Sequence, residues 1–449
     1  MNDYLTGIIK TLEFNKKTTI ISDGKKYISK GGLPKEEVAF YRKRKNNAVI
    51  TEVLNSPYEK TSVCGAEKRC GGCYFAEIGY DDEAKIKSDE INRMFAEVAE
   101  RDGTEILPLH TPKTARKYRN KMEYTFGNEV KGGDLRLGLH EKNMFHNIVE
   151  CENCILVPDD MTTIRREIRK YFEEKNFSFF YKNTKTGFLR HCVIRHSVAD
   201  DEYLINIITT SAQTLPEDFV RKMLAVNEKI NGKIVSIYHT LNDSVSDAVI
   251  NEKLTLLYGR ESLNEELNGL KFNVGPFSFF QTNTEAAEEL YSYVKENMDE
   301  VDTLWDLYAG SAVIGQILSD SAKKVISVEI NPENIKDARD TILRNGIKNV
   351  KVIERDCKQF VKETDEKADL IVIDPPRAGI HKDVVKALDL SGVKKIIYVS
   401  CNPVTLKNDL LAIENYRVKS IKCFDNFAGT LNIETVAVLE NKSFKKEKV

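Results

Sequence analysis

The sequence lacks the features of a membrane or secreted protein. Its 449 residues contain no uninterrupted apolar stretch of about 18 residues, the length that a membrane-spanning helix needs. The first residues, Met-Asn-Asp-Tyr-Leu-Thr-Gly, lack the basic and apolar regions of a secretory signal. We therefore expect a cytoplasmic protein with no membrane partner.

A large net charge is also missing. The formal net charge is −2, so overall charge does not identify a nucleic-acid-binding protein. Local charge is more informative, because Arg42 to Lys45 is a block of four cations and the stretch from Lys113 to Lys121 carries five cations without an acid. Tyr118 lies within the second stretch, which favours contact with a polyanion, although a solvated surface explains such runs equally well.

Three domains are predicted from the order of patterns along the chain. Residues 1–57 form short strand patterns with Gly and Pro turns, which is typical of a small OB-like barrel. Residues 58–274 mix strand and helix patterns as a central α+β domain, and its helix at about 81–101 is a candidate to pack on the last domain. Residues 275–449 alternate apolar strands and helices, which indicates a parallel, Rossmann-like α/β sheet.

Cysteines are the third informative feature. In a cytosolic chain, nine cysteines indicate metal binding or catalysis before disulfides. Cys64, Cys70 and Cys73 are separated by five and two residues, and Cys151 and Cys154 form a distant pair. Four thiolates suit a [4Fe-4S] cluster and equally suit structural zinc.

A cofactor site is predicted where the strand at 303–308 turns into a helix through Ala309–Gly315. Ala312 stands where a dinucleotide fingerprint has its middle glycine, so the pattern alone also fits a plain tight turn. Glu329 ends the next strand, where a carboxylate accepts hydrogen bonds from ribose hydroxyls. A nucleoside without a pyrophosphate fits this pattern better than NAD, and S-adenosylmethionine is the candidate.

Catalytic side chains are predicted at the same edge of the sheet. Cys401 and Asp374 each follow an apolar strand, and Glu434 stands in a later strand pattern. Carboxyl ends of parallel strands share one edge, where open α/β folds bind their ligands. The three side chains indicate a cysteine nucleophile, a polar orienting group and a base around one substrate.

Six segments, in order, resemble the motifs of RNA (uracil-5-)-methyltransferases. They are Pro276-Phe-Ser-Phe-Phe-Gln-Thr-Asn283, Asp306-Leu-Tyr-Ala-Gly, Val328-Glu-Ile-Asn-Pro, Ile373-Asp-Pro-Pro-Arg, Val399-Ser-Cys-Asn-Pro-Val-Thr-Leu and Asn432-Ile-Glu-Thr. The barrel, the cysteine loop, Tyr118-Arg-Asn-Lys121 and Gly187-Phe-Leu-Arg190 resemble the branch of the family that acts on 23S rRNA.

The resemblance implies a function and a set of roles. The expected reaction is S-adenosylmethionine-dependent methylation of uridine C5 in RNA, most simply 23S rRNA. The barrel would be of the TRAM type, and the cysteines would hold a [4Fe-4S] cluster. The implied roles are: Cys401 as nucleophile at C6, Glu434 as base, Gln281, Tyr308, Glu329 and Asp374 at the cofactor, Phe279 and Asp374 at the uracil, and Cys64, Cys70, Cys73 and Cys154 at the cluster, with Cys151 as rival fourth ligand.

The sequence departs from the family pattern at four positions, Ala309, Ala312, Ala428 and Asn432, where Cys or Gly, Gly, Pro and His are expected. Since Glu434 itself is kept, we expect these departures to change rate or geometry and not the reaction class. Three alternatives stay open: a tRNA uracil-5-methyltransferase, an N-methyltransferase that uses Asp-Pro-Pro and has no use for Cys401, and a non-catalytic RNA-binding iron–sulfur protein. No protein partner is implied.

Overall fold

The computed structural model describes residues 4–246 and 248–444. Within this part of the chain, no helix is long and apolar enough to cross a membrane. The chain forms two compact units. One unit consists of Met1–Thr61, Ile78–Lys113 and Glu289–Val449, and the other consists of Ser62–Glu77 and Thr114–Glu288. These two units do not coincide with the three domains predicted from the sequence, because each unit combines separate segments of the chain. The three-domain division stays a prediction.

The first unit begins with a closed barrel, in which five strands hydrogen-bond in the order β1-β2-β3-β5-β4. The strands are β1 Tyr4–Leu12, β2 Lys17–Ser22, β3 Lys25–Lys30, β4 Glu37–Arg44 and β5 Asn47–Asn55. Alternate residues point inward, so Ile9, Ile20 and Phe40 form a small core. The predicted barrel is confirmed, whereas its TRAM identity stays a prediction. The cations from Arg42 to Lys45 are exposed at its surface.

Two further elements of the first unit follow the barrel in the sequence, and the second is the edge strand of the large sheet. They are helix α1 Tyr80–Asp102 and strand β6 Glu105–Ile106. Helix α1 begins with three acidic residues and ends at Gly103, whose left-handed backbone (φ 67°) lets its N–H donate to the Ala99 carbonyl. The apolar face of α1, which includes Ile91 and Phe95, belongs to the core of the large sheet.

The second unit contains a seven-stranded sheet with the order β13-β12-β11-β10-β7-β8-β9, and a two-stranded ribbon of β14 and β15, within the described residues. Its strands are β7 Lys121–Gly127, β8 Arg136–Glu141, β9 Met144–Val149, β10 Leu189–Ser197, β11 Glu202–Thr209, β12 Lys233–Leu241, β13 Lys253–Gly259, β14 Leu263–Leu267 and β15 Leu270–Val274. Its helices are α2 Asp159–Glu174 and α3 Phe219–Leu224, followed by a 3₁₀ turn at Ala225–Lys229.

The large sheet of the first unit has eight strands in the described chain, ordered β18-β17-β16-β19-β20-β22-β21-β6. The elements after β15 are α4 Thr284–Glu296, β16 Val301–Leu307, α5 Val313–Ile317, β17 Ala322–Glu329, α6 Pro332–Arg344, β18 Val350–Glu354, α7 Cys357–Glu363, β19 Leu370–Ile373, α8 Lys382–Asp389, β20 Lys395–Ser400, α9 Pro403–Ala412, β21 Tyr416–Phe424 and β22 Glu434–Asn441. Strands β18, β17, β16, β19 and β20 pair in parallel, and β22 runs antiparallel to β20. The parallel sheet predicted from the alternation is confirmed, and its carboxyl edge carries the predicted site.

Candidate active site

The turn after β16 has an unusual backbone. Tyr308 and Ala312 have left-handed conformations (φ 59° and 54°), as does Gly310 between them (φ 55°). A residue with a Cβ is disfavoured there by roughly 1–2 kcal/mol. This explains why a glycine is expected at position 312, and it shows that Ala312 adopts the left-handed conformation in this turn.

Gly315 lets helix α5 lie directly on the sheet. A Cβ at this position would lie 2.5 Å from the Ser327 Oγ and 2.6 Å from the Asp306 Oδ2, closer than side chains allow. Asp306 uses the same Oδ2 to accept hydrogen bonds from the Gly315 N–H (3.2 Å) and the Ser327 hydroxyl (2.9 Å). The buried Asp306 carboxyl thus fixes the start of the helix to strands β16 and β17.

Glu329 connects the two neighbouring turns. Its Oε2 accepts a hydrogen bond from the Gly310 N–H (2.8 Å), and its Oε1 accepts from the N–H groups of Ile330 (2.9 Å) and Asn331 (2.8 Å). Each carboxylate oxygen has more than one acceptor site. Glu329 is therefore both a structural link and an available acceptor beside the turn after β16, which is where the sequence predicts a ribose.

Acidic groups follow one another along the carboxyl edge. Burial raises the pKa of Asp306 to about 6, and the charge of Glu329 adds to the increase. Burial also raises the pKa of Asp374 to about 7, with Asp306 as the next cause. Because each carboxylate opposes ionisation of its neighbour, this edge favours a positively charged ligand.

The sheet places Cys401 beside Glu434. Strands β20 and β22 are antiparallel and pair Ser400 with Thr435, and Cys401 and Glu434 are the next residues on the two segments. The charge of Glu434 accordingly acts on the Cys401 thiol. The predicted nucleophile and the predicted base therefore lie at one point of the edge, although 33 residues separate them in the sequence (434 − 401).

Arg377 completes this group of side chains. Burial raises the pKa of the Cys401 thiol to about 11, with Glu434 and Asp374 as further causes, while the charge and hydrogen bond of Arg377 oppose the increase. Burial raises the pKa of Glu434 well above its usual value, Asp374 adds to this, and Arg377 again opposes it. In the sequence, Arg377 stands out only as the last residue of the motif Asp-Pro-Pro-Arg, and its place beside Cys401 and Glu434 comes from the structure.

Asn402 holds Arg377 near Cys401. Its side-chain carbonyl caps helix α9 by accepting from the Val404 N–H (3.2 Å), and its Nδ2 donates to the Arg377 carbonyl (2.8 Å). Pro403 follows at the first position of α9, where its missing N–H costs nothing. One amide thus connects the turn that carries Cys401 to the loop after β19.

Replacing Arg377 by methionine is expected to raise the pKa of Cys401 further, because the thiolate loses its cation. At a fixed pH between 8 and 10 the rate of Cys401 alkylation by iodoacetamide should fall about tenfold or more. The measurement is mass spectrometry of the alkylated peptide over time at several pH values. Arg344→Met, at an exposed arginine on α6, is the control. An alkylation profile that Arg377→Met leaves unchanged would contradict the role of this cation.

Phe279 and Gln281 belong to the second unit. The Phe279 side chain is 70% exposed, as a stacking residue requires. The backbone of this segment is fixed from within the unit, because buried Arg195 donates to the carbonyls of Pro276 and Ser278, and Asn120 Nδ2 donates to the Gln281 carbonyl (2.9 Å). Their roles at uracil and cofactor stay predictions.

The cysteine loop also lies in the second unit. Among the described residues, no group of three or more His, Cys, Asp or Glu side chains is arranged so that it could hold a metal ion. The structure therefore does not show the predicted cluster site. The thiols are nevertheless neighbours, since Cys154 interacts electrostatically with Cys64, Cys70 and Cys73. A hydrogen bond from the Cys151 thiol lowers the pKa of Cys154 to about 6.

Comparison with known proteins shows which family the chain resembles. A family model described as tRNA (Uracil-5-)-methyltransferase matches residues 251–442. An uncharacterized RNA methyltransferase of Clostridium tetani is 38% identical over 97% of this chain and 97% of its own length. One of Caldanaerobacter subterraneus is 36% identical over 98% of this chain and 99% of its own.

One solved structure shares the fold over nearly the whole chain. It is the Pyrococcus abyssi tRNA (uracil-54, C5)-methyltransferase in complex with S-adenosyl-L-homocysteine, which is 24% identical with a TM-score of 0.77 and covers 97% of this chain and 100% of its own. At this identity the likeness shows the fold, including the mixed α/β architecture predicted from the sequence.

Proposed function

The chain belongs to the RNA (uracil-5-)-methyltransferase family, and we propose that it methylates C5 of a uridine in RNA with Cys401 as nucleophile and Glu434 as base. S-adenosylmethionine is the methyl donor of the family. The observation that carries the proposal is the pairing of Ser400 with Thr435, which brings the adjoining Cys401 and Glu434 to one point of the sheet edge, where Asp374 and Arg377 interact with both. An N-methyltransferase or a non-catalytic scaffold would have no use for this pair.

The chemistry explains why both side chains are needed. C5 of uracil is a weak carbon nucleophile, and addition of the Cys401 sulfur to C6 moves the electrons of the C5–C6 double bond to C5 and O4. C5 then receives the methyl group that S-adenosylmethionine supplies. Glu434 removes the remaining proton from C5, the double bond re-forms, and the bond between C6 and sulfur breaks. A uracil stacked in a helix cannot reach Cys401, so the target is unpaired or extruded.

The cofactor fits the acidic edge of the sheet. S-adenosylmethionine carries a positive sulfonium and an ammonium group, and the row from Glu329 through Asp306 to Asp374 favours positive charge. Glu329 would accept from the ribose, and Tyr308 lies in the turn beside it. A dinucleotide would bring the negative charge of its pyrophosphate to this edge, which supports the choice of cofactor. Gln281 is proposed as a further contact on the resemblance alone.

The proposed substrate is 23S rRNA in the cytoplasm. The barrel, with its exposed cations from Arg42 to Lys45, adds phosphate contacts that suit a large folded RNA. A specific observation favours tRNA as the second candidate. The fold of the Pyrococcus abyssi tRNA (uracil-54, C5)-methyltransferase matches 97% of this chain, so the presence of a barrel and a second unit does not by itself distinguish the two substrates.

Side-by-side labelling should distinguish these substrates. With radiolabelled S-adenosylmethionine, we expect protein-free 23S rRNA lacking 5-methyluridine to accept methyl groups at least about tenfold faster than unmodified tRNA at matched salt concentration, since salt weakens all phosphate contacts. Nuclease digestion and mass spectrometry then check that the product is 5-methyluridine. Preferential labelling of tRNA would show that tRNA is the substrate and would leave the proposed methylation of uridine C5 intact. A product methylated at another atom would overturn the proposed reaction.

We also propose that Cys64, Cys70, Cys73 and Cys154 hold one [4Fe-4S] cluster. The donors fit in kind, because this cluster is held by four thiolates. Cys154 is preferred over Cys151 since it interacts with all three thiols of the loop, whereas Cys151 interacts with Cys64 and Cys154. With four protein ligands the cluster would have no open iron, so its proposed role is structural or in positioning RNA.

Metal analysis after anaerobic purification should test the cluster. We expect iron and acid-labile sulfide in near-equal amounts, lost in Cys154→Ser and kept in Cys151→Ser, which serves as the matched control three residues away. The opposite pattern in the two serine variants would exchange the fourth ligand. Zinc without sulfide would show that the site is a structural zinc site.

A further inference from the structure

Three charged side chains with no solvent exposure lie together beneath the loop that leads to Glu434. Lys87 Nζ is 2.6 Å from Glu83 Oε1 and 2.7 Å from Asp425 Oδ1, and all three side chains are 0% exposed. Glu83 and Lys87 stand one turn apart on α1, and Asp425 directly follows β21. The cluster therefore joins a helix near residue 85 to a loop more than 330 residues later.

Helix α1 holds this loop at more than one point. Glu83 Oε1 also accepts a hydrogen bond from the Gly429 N–H (2.7 Å), and the Tyr80 hydroxyl donates to Asp425 Oδ2 (3.0 Å). Both ends of the segment 425–429 are thus bound to the first two turns of the helix. Glu434 begins β22 a few residues further on, so the segment sets where that strand starts.

Stability alone is a poor explanation for this cluster. Burial raises the pKa of Glu83, with Lys87 opposing the increase, which reflects the cost of placing two carboxylates beside one ammonium without water. Well-packed apolar residues usually stabilise such a position at least as well as a buried ion pair. Further along α1, Ile91 and Phe95 belong to the apolar core of the large sheet. Hydrogen bonds are directional, so they fix the position of the loop more closely than apolar packing would.

We propose that Glu83, Lys87 and Asp425 are positioning residues that fix the loop before β22 and so hold Glu434 beside Cys401. The inference rests on the proposed function, because it concerns the step that Glu434 performs. In that step a Glu434 carboxylate oxygen takes the proton from C5, the C5–C6 double bond re-forms, and the Cys401 sulfur leaves C6 with its bonding electrons. A displaced Glu434 slows this step and leaves the attack of Cys401 unaffected.

The test compares adduct formation with adduct release. Lys87→Met removes both ion pairs and keeps the length of the side chain, and Lys85→Met, at an exposed position on the same helix, is the matched control. On ordinary RNA we expect Lys87→Met to release methylated product about 10- to 100-fold more slowly than wild type, with the covalent adduct accumulating on denaturing gels, since an ångström-scale misplacement has effects of this size. Lys85→Met should behave as wild type.

A second variant keeps the proposal testable if Lys87→Met does not fold. Glu83→Gln preserves shape and the hydrogen bond from Gly429 but removes a charge from the pair, so a smaller accumulation of adduct is expected. Glu434→Gln is measured beside them. The positioning role is refuted if Glu434→Gln accumulates adduct while folded Lys87→Met releases product at the wild-type rate. If Lys87→Met does not fold, Glu83→Gln is judged by the same criterion. In either case the proposed function stands. If Glu434→Gln itself releases product normally, the role of Glu434 fails first.

Discussion

Methyl transfer is expected to fall to background in Cys401→Ala, a loss of at least about 10⁴-fold, because without the sulfur no electron density reaches C5. The same variant should form no adduct with RNA that carries 5-fluorouridine at the target, whereas the wild type should be trapped, since fluorine does not leave C5 as a proton does. The measurements are methyl incorporation and a denaturation-resistant protein–RNA band.

Cys423→Ala is the matched control, because Cys423 is a fully buried cysteine in the same sheet whose thiol contacts the Thr435 hydroxyl (3.5 Å). It should lose some stability and still form the adduct. The pH dependence follows from the thiol: with a pKa of about 11, Cys401 in the free protein gains thiolate as pH rises, so the rate of trapping should increase from pH 7 to pH 10. A wild-type enzyme that gives no adduct with a verified substrate would remove Cys401 from the mechanism.

Glu434→Gln is expected to separate the two halves of the reaction. The amide cannot accept the proton from C5, so Cys401 should still add and C5 should still be methylated, while release of product slows roughly 10²–10⁴-fold. The adduct should therefore accumulate on ordinary RNA, without fluorine. Quantifying adduct and free 5-methyluridine over time in a single turnover gives both rates.

Glu440→Gln, on the same strand but paired with Arg417 and Lys419, is the control and should turn over as the wild type. Normal release in Glu434→Gln would assign proton removal to another group. Asp374 would be the next to test, because burial raises its pKa to about 7, a value suited to a base near neutral pH.

The sequence by itself determined the elements and the edge on which the site lies. Apolar strand patterns predicted β16 to β20, because burial on both faces of a parallel strand leaves a continuous apolar run. Tyr308, Asp374 and Cys401 each follow such a strand, and Glu329 ends one. The barrel was also predicted from the sequence, because its strand patterns are short and separated by Gly and Pro turns. The resemblance of six short motifs then indicated the family, which the family model over residues 251–442 and the RNA methyltransferase relatives confirm.

Only the tertiary structure decided which distant side chains meet. Periodicity reports how one element is buried, but it says nothing about the register of β20 against β22, which brings Cys401 and Glu434 to one point of the sheet edge. Arg377 is held near Cys401 by the hydrogen bond from Asn402 to its carbonyl. Lys87 binds Asp425, which lies 338 residues later in the sequence. Such contacts depend on topology and on closing long loops, and no local pattern in the chain encodes them.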